Sequence, residues 1–260
     1  MMKLRHNLCV VMLVLLVLSL SVGAAAPAKQ VELYVAAAAS LKDAMTELQA
    51  NYRHKNPKVK VFLNLASSGA LQTQIEQGSP ADLFVSAAQK QMNALEKAGL
   101  LKKETRRDLL ENQLVLVVPK NSKLAVQSFS DLTLDAVKKV GIGAPESVPA
   151  GQYAWEVFKN LQITAKLRGK LVLGTNVRAV LSYVETGNVD AGVVYRTDAA
   201  ISRQVKIVAV APHGSHRPII YPAAVLANAR QPQAALEFLK YLTTRPAEKV
   251  FTKYGFLKAR

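Results

Sequence analysis

The 260-residue chain holds 34 Lys and Arg against 18 Asp and Glu, a formal charge of +16, and a single cysteine, Cys9. One cysteine excludes an internal disulfide and a thiolate metal cluster. The basic residues are spread along the chain without interleaved aromatics, and no helix-turn-helix, zinc-finger or RNA-module signature accompanies them. The excess therefore reads as a solvated surface that attracts anions at long range, with no nucleic-acid partner.

Lys3 and Arg5 precede an apolar run over residues 8–20, and Gly23-Ala24-Ala25-Ala26-Pro27-Ala28 follows it. That order predicts a secretory signal peptide over residues 1–28, cleaved after Ala28 or Ala25. The run is shorter than the roughly 18 residues of a spanning helix, which disfavours an uncleaved anchor. Cys9 lies ahead of most of the run, so it is no lipid-attachment site and leaves with the leader. Removing Lys3 and Arg5 leaves 32 basic against 18 acidic side chains.

Beyond the leader, apolar β-branched stretches at residues 31–36, 59–65, 82–86, 114–118, 140–142, 170–173 and 191–195 alternate with stretches of helical spacing. The pattern predicts an α/β protein with two largely parallel sheets. Leu41, Ala44, Met45 and Leu48 mark one helix, and Leu71 and Ile75 mark a second that stops at Gly78. Val180, Leu181 and Val184 mark a third, over residues 177–184, that stops at Gly187. Residues 114–119 and 221–226 read as strands that carry the chain between two units. The first unit is then discontinuous, residues 29–118 plus 222–260, and residues 119–221 form the second.

Four times a predicted strand ends in small or capping residues and leads into a helix: at Ala36-Ala37-Ala38-Ala39-Ser40-Leu41, Ala66-Ser67-Ser68-Gly69, Ser147-Val148-Pro149-Ala150-Gly151 and Gly174-Thr175-Asn176-Val177. Each junction places unpaired backbone N–H groups and the positive end of a helix dipole at the carboxyl end of a strand. Open α/β sheets bind ligands there, and helix N-termini receive anions. Any one junction is equally an ordinary cap, because Ser and Asn start helices everywhere.

These same segments carry a family resemblance. Ala37-Ala38-Ala39-Ser40-Leu41, Ala66-Ser67-Ser68-Gly69-Ala70-Leu71, Gly78-Ser79-Pro80-Ala81-Asp82-Leu83-Phe84-Val85-Ser86-Ala87, Val148-Pro149-Ala150-Gly151-Gln152-Tyr153-Ala154, Asn176-Val177-Arg178, Asp190-Ala191-Gly192-Val193-Val194-Tyr195 and Tyr254-Gly255-Phe256 resemble, in order and spacing, the periplasmic molybdate-binding proteins. The resemblance implies a two-lobed type II periplasmic binding-protein fold, each lobe a sheet flanked by helices, with the ligand in the cleft between lobes. It implies a monomeric, non-enzymatic periplasmic protein without a cofactor. Its ligand would be molybdate or tungstate, and its partners an inner-membrane permease and a cytoplasmic ATPase. Carried over by position, it implies Ser40 and Ser68 as ligands through hydroxyl and N–H, Ala150 and Val177 through N–H, and Tyr195 through its hydroxyl. Thr175 and Arg196 depart from what relatives often carry, without touching these donors.

A shell of neutral donors suits a fully ionised tetrahedral anion. It buries no cation, whose desolvation could exceed its attraction, and it offers no acceptor to the proton of hydrogen phosphate. Sulfate passes the same test, so a binding protein for sulfate or another oxyanion is the nearest alternative. An exported serine hydrolase would need a base beside Ser40 or Ser68, and neither serine sits in a Gly-x-Ser-x-Gly elbow. His213 and His216 read as an exposed loop and not as metal ligands, since no third ligand is near in sequence. Asp82 reads as a structural cap or pair, Trp155 as packing, and Phe238, Tyr241, Phe251 and Tyr254 as core.

Overall fold

The computed structural model describes residues 30–259, so the predicted leader lies outside the described residues. The first sheet is built around β1 (Val31–Ala38), buried on both faces from Val35 onward, as an unalternating apolar strand must be. β2 (Val59–Ala66) and β3 (Leu83–Val85) flank it, both parallel. A 3-10 turn at Ala39–Leu41 leads from β1 into α1 (Lys42–Lys55), which buries Ala44, Met45, Leu48 and Tyr52. Between β2 and β3, α2 (Ser68–Glu76) ends where predicted. Gly78 takes the left-handed backbone (φ 84°), and the N–H groups of Gly78 and Ser79 close on the carbonyls of Ile75 and Gln74. Then come α3 (Gln89–Lys97) and β4 (Arg107–Glu111).

The second sheet takes over at β5 (Leu114–Pro119). It continues with β6 (Val140–Gly143), α4 (Pro149–Asn160), α5 (Thr164–Leu167), β7 (Leu171–Gly174), α6 (Val177–Glu185), β8 (Ala191–Tyr195), α7 (Arg196–Ala200) and β9 (Val205–Val210). The chain returns on β10 (Ile220–Val225) and finishes with α8 (Pro232–Leu242), α9 (Arg245–Lys253) and β11 (Leu257–Lys258). Among the described residues the strand orders are β11-β4-β10-β3-β1-β2 and β7-β6-β8-β5-β9. No helix among these residues is long and apolar enough to cross a membrane.

Two expectations need correction. The sheets are mixed, not largely parallel: β1–β2, β1–β3, β6–β7 and β6–β8 are parallel. The pairings of β10, β11 and β5 are antiparallel. Helical crossovers enforce parallel neighbours only within each run of strand, helix and strand. β5 and β10 enter from the other sheet in the opposite sense, and the unpredicted strands β4, β9 and β11 pair with them or with one another. The second correction concerns the boundary at 118. Leu114 to Val118 are fully buried between β8 and β9, so this strand belongs to the second sheet. The chain leaves the first sheet at Asn112 and regains it at Ile220.

Helix α4 lies so close to β6 that a Cβ on Gly151 would sit 1.8 Å from the Gly143 carbonyl oxygen. Overpacking of this kind costs about 1–3 kcal/mol. We therefore predict that Gly151→Ala lowers the unfolding free energy in urea by about that amount or more. A variant as stable as the parent would mean that α4 can move off β6 freely.

Candidate functional site

Strand register creates the site. Ala38 of β1 pairs with Ala66 of β2, and Gly143 of β6 pairs with Gly174 of β7. In each sheet two parallel strands thus end level, and the helical turns that follow start side by side. The first amides of a helix have no partner within it, so each sheet presents a pair of such starts. All four border one cavity of about 200 Å3 of empty space, mouth included. Its lining includes Ser40, Ser68, Ala150, Val177 and Tyr195, so the structure brings together all five residues singled out in the sequence.

Local hydrogen bonds decide what each residue offers. Asn176 caps α6 by accepting from the N–H groups of Arg178 and Ala179 at 2.9 and 3.0 Å, which leaves the Val177 N–H as the first free amide. Pro149 has no N–H, so Ala150 carries the first amide donor of α4. Ser67 caps α2 through a long contact from the Ala70 N–H, 3.4 Å. The buried Ser68 hydroxyl accepts from the Ala87 N–H at 2.9 Å, which leaves its own proton to give. Ser40 Oγ lies 3.0 Å from the hydroxyl of Tyr221.

The Tyr195 hydroxyl is buried, and among the described residues no group meets it in good hydrogen-bond geometry. Burial, with Tyr221, Tyr153 and Asp198 adding to it, pushes the phenol well above its ordinary pKa, so the group is a protonated donor that needs an acceptor. Among the described residues, neither serine hydroxyl is hydrogen-bonded to a histidine or a carboxylate.

A cation beside Ser40 is held by other groups. Arg178, on α6, places Nη2 2.6 Å from Asp43 and 3.3 Å from the Ser40 carbonyl oxygen. Its Nε lies 2.6 Å from Asp198, as an ion pair too poorly aligned to count as a hydrogen bond. Burial pushes the Asp198 carboxyl up to about 6, against the pull of Arg178 and of the Tyr195 N–H. Arg178 thus braces the segment behind Ser40.

The two halves touch at Gly69, whose N–H donates to the Ser147 carbonyl at 2.8 Å; a Cβ there would sit 2.4 Å from that oxygen. Asp82 is structural, accepting from the N–H groups of Tyr34 and Gln231. His216 packs edge-on against Tyr153. Arg178, Asp198, Ala87, Asn112 and Tyr221 were not singled out in the sequence. Arg178 and Ala87 had only a local signal, their places in the segments Asn176-Val177-Arg178 and Gly78 to Ala87.

Residues 33–257 match the family model of bacterial extracellular solute-binding proteins. The chain belongs to this family. Among the relatives of this solute-binding protein is the Haemophilus influenzae molybdate-binding protein ModA, 40% identical, with 93% of this chain and 95% of the relative covered. Bacillus subtilis YvgL, named as an ABC transporter substrate-binding lipoprotein, is 47% identical over 88% of this chain and 87% of its own. A Clostridium difficile structure described as the substrate-binding domain of a molybdenum ABC transporter superposes with a TM-score of 0.68 at 42% identity. That match covers 89% of this chain and all of that one. The solute-binding protein thus has the two-lobed type II fold.

The serines of the second junction separate cleanly in stability. Ser67→Ala removes a cap made at long distance and should cost about 0.5–1 kcal/mol. Ser68→Ala leaves the buried Ala87 N–H without an acceptor and should cost more, about 1–3 kcal/mol. Urea titration of both variants reads the order, and equal losses would show that the Ala87 contact does not hold in solution.

Proposed function

We propose that this chain captures molybdate, and tungstate with it, outside the cytoplasmic membrane and delivers it to an ABC-type permease energised by a cytoplasmic ATPase. The convergence of five neutral donor residues on one cavity carries this reading. Ser40 and Ser68 would each give a hydroxyl and an N–H, Ala150 and Val177 an N–H, and Tyr195 its orphaned hydroxyl. Hydrogen bonds to a charged acceptor contribute about 1.5–3 kcal/mol each, so several neutral donors hold a dianion firmly. Relatives named as molybdate-binding proteins support the choice of anion.

In this reading the protein is exported through a cleaved leader, works as a monomer without a cofactor, and releases its ligand chemically unchanged. One lobe, residues 31–112 and 220–259, supplies the two serines, and the intervening lobe supplies Ala150, Val177 and Tyr195. The crossings at Asn112 and before β10 serve as the hinge, and closure completes a shell that neither lobe holds alone.

Calorimetric titration should give one molybdate or tungstate per chain, with no competition from phosphate at neutral pH. Equal competition by phosphate would sink the donor-only site, and a preference for sulfate would reassign the ligand. Within the site, Ser68→Ala and Tyr195→Phe each remove one bond to a charged acceptor. Both should weaken molybdate binding roughly ten-fold to more than a hundred-fold, while Ser67→Ala leaves it nearly unchanged. Wild-type affinity in Tyr195→Phe would remove that tyrosine from the site.

A further inference from the structure

We infer that Asn112 is a positioning residue that fixes the direction of a hydroxyl chain ending at Ser40, so that this serine always presents a proton to the cavity. The inference rests on the oxyanion reading above and explains how one of its donors is kept a donor.

Hydrogen-bond polarity can be followed atom by atom. The Gln113 backbone N–H, which can only donate, lies 2.9 Å from Asn112 Oδ1 and so settles which end of the amide is oxygen. The amide nitrogen then faces two hydroxyls, Thr197 Oγ1 at 2.9 Å and Tyr221 Oη at 3.1 Å, and has one proton for each. Tyr221 receives that proton on its oxygen and has a single proton of its own to place, 3.0 Å from Ser40 Oγ. A phenol oxygen could accept from Ser40 as well, but among the described residues no other acceptor is hydrogen-bonded to the Tyr221 proton, so the relay assigns Tyr221 as the donor; Ser40 then accepts on that side, and its own proton is left for the cavity that it lines. Asn112, Tyr221, Ser40 and Thr197 are all buried, so water does not supply alternative partners freely.

The position of Asn112 gives this chain a second consequence. It sits where the polypeptide leaves the first sheet, between β4 and β5, while Tyr221 lies on the returning strand β10. Thr197 stands two residues after Tyr195, in the other lobe. One amide thus ties both crossings to the serine of one lobe and to the segment carrying the tyrosine of the other.

Asn112→Asp is the informative variant because it keeps the shape and reverses the polarity. A carboxylate only accepts, so Tyr221 would turn its proton toward residue 112, Ser40 would donate to Tyr221, and a serine lone pair would face the anion. Tyr221→Phe breaks the chain and frees Ser40 to donate again. Molybdate titrations of the wild type, N112D, Y221F and the double variant, each checked for folding by thermal denaturation, form the test.

We expect N112D to lose roughly ten-fold or more, Y221F to lose less, and N112D/Y221F to regain a large part of the N112D loss. Residual loss in the double variant measures the added charge. Phosphate should also begin to compete in N112D, because the inverted serine can accept its proton. If N112D does not fold, Asn112→Ala replaces it, with the polarity unset: a loss relieved by Y221F supports the relay, and a loss that simply adds to that of Y221F overturns it. Wild-type affinity in N112D, or additive losses in the double variant, likewise overturn the relay alone. Failure of the wild type to bind molybdate overturns the oxyanion reading and the relay together.

Discussion

A helix cannot satisfy its own first amides, and here four helical starts are gathered around one small cavity. Level strand ends do the gathering. Parallel pairing of β1 with β2 and of β6 with β7 in matched register places neighbouring junctions side by side in each sheet. The antiparallel crossing strands β5 and β10 knit the two sheets into one chain path without disturbing those ends. Small residues at the junctions let backbone approach backbone, most tightly at Gly69 against Ser147 and at Gly151 against Gly143. The cavity is thus made chiefly of peptide groups, whose geometry is set by the fold and not by flexible side chains.

Around that peptide lining, a second layer of hydrogen bonds determines what the side chains can offer. The Ala87 amide occupies a lone pair of Ser68, and Tyr221 sits against Ser40. Arg178 lies close behind Ser40 with its guanidinium engaged by Asp43 and Asp198. A cation pointed into the cavity would bind any anion of suitable size and would bring its own desolvation cost. Paired with two carboxyl groups one layer back, Arg178 adds no net positive charge, and the choice among anions rests with the neutral donors.

Much of this was legible in the sequence because its signals are local. Ser67, Asn176 and Pro149 announce helix starts, Gly78 and Gly187 announce helix ends, and each acts on neighbours a few residues away. The five lining residues were legible as a set only through the family resemblance, since Tyr195 ends a strand like any other and carries no capping signal. What stayed hidden depends on contacts between distant parts of the chain. Asn112 meets Tyr221, Arg178 meets Asp43, and Ser40 meets Tyr221 only after both crossings are made. The sheet to which residues 114–119 belong was hidden for the same reason, because an apolar strand reads alike whichever sheet receives it. The strand Arg107–Glu111 was missed because its outer residues are charged and its pairing is with the returning strand.

The high pKa of the buried tyrosines bears on where such a protein can work. Peptide N–H groups and serine hydroxyls do not titrate in water's ordinary range, and burial moves the phenols of Tyr195 and Tyr221 further from it. A lining of this kind keeps the same protonation in acid soil water and in alkaline broth, which an arrangement built on histidine or lysine would not. For a protein proposed to act in a compartment open to the medium, acidity then acts on the ligand, through the fraction of oxyanion that stays unprotonated, and on the layer behind the lining, where burial pushes the Asp198 carboxyl up to about 6, while the lining donors keep their protons.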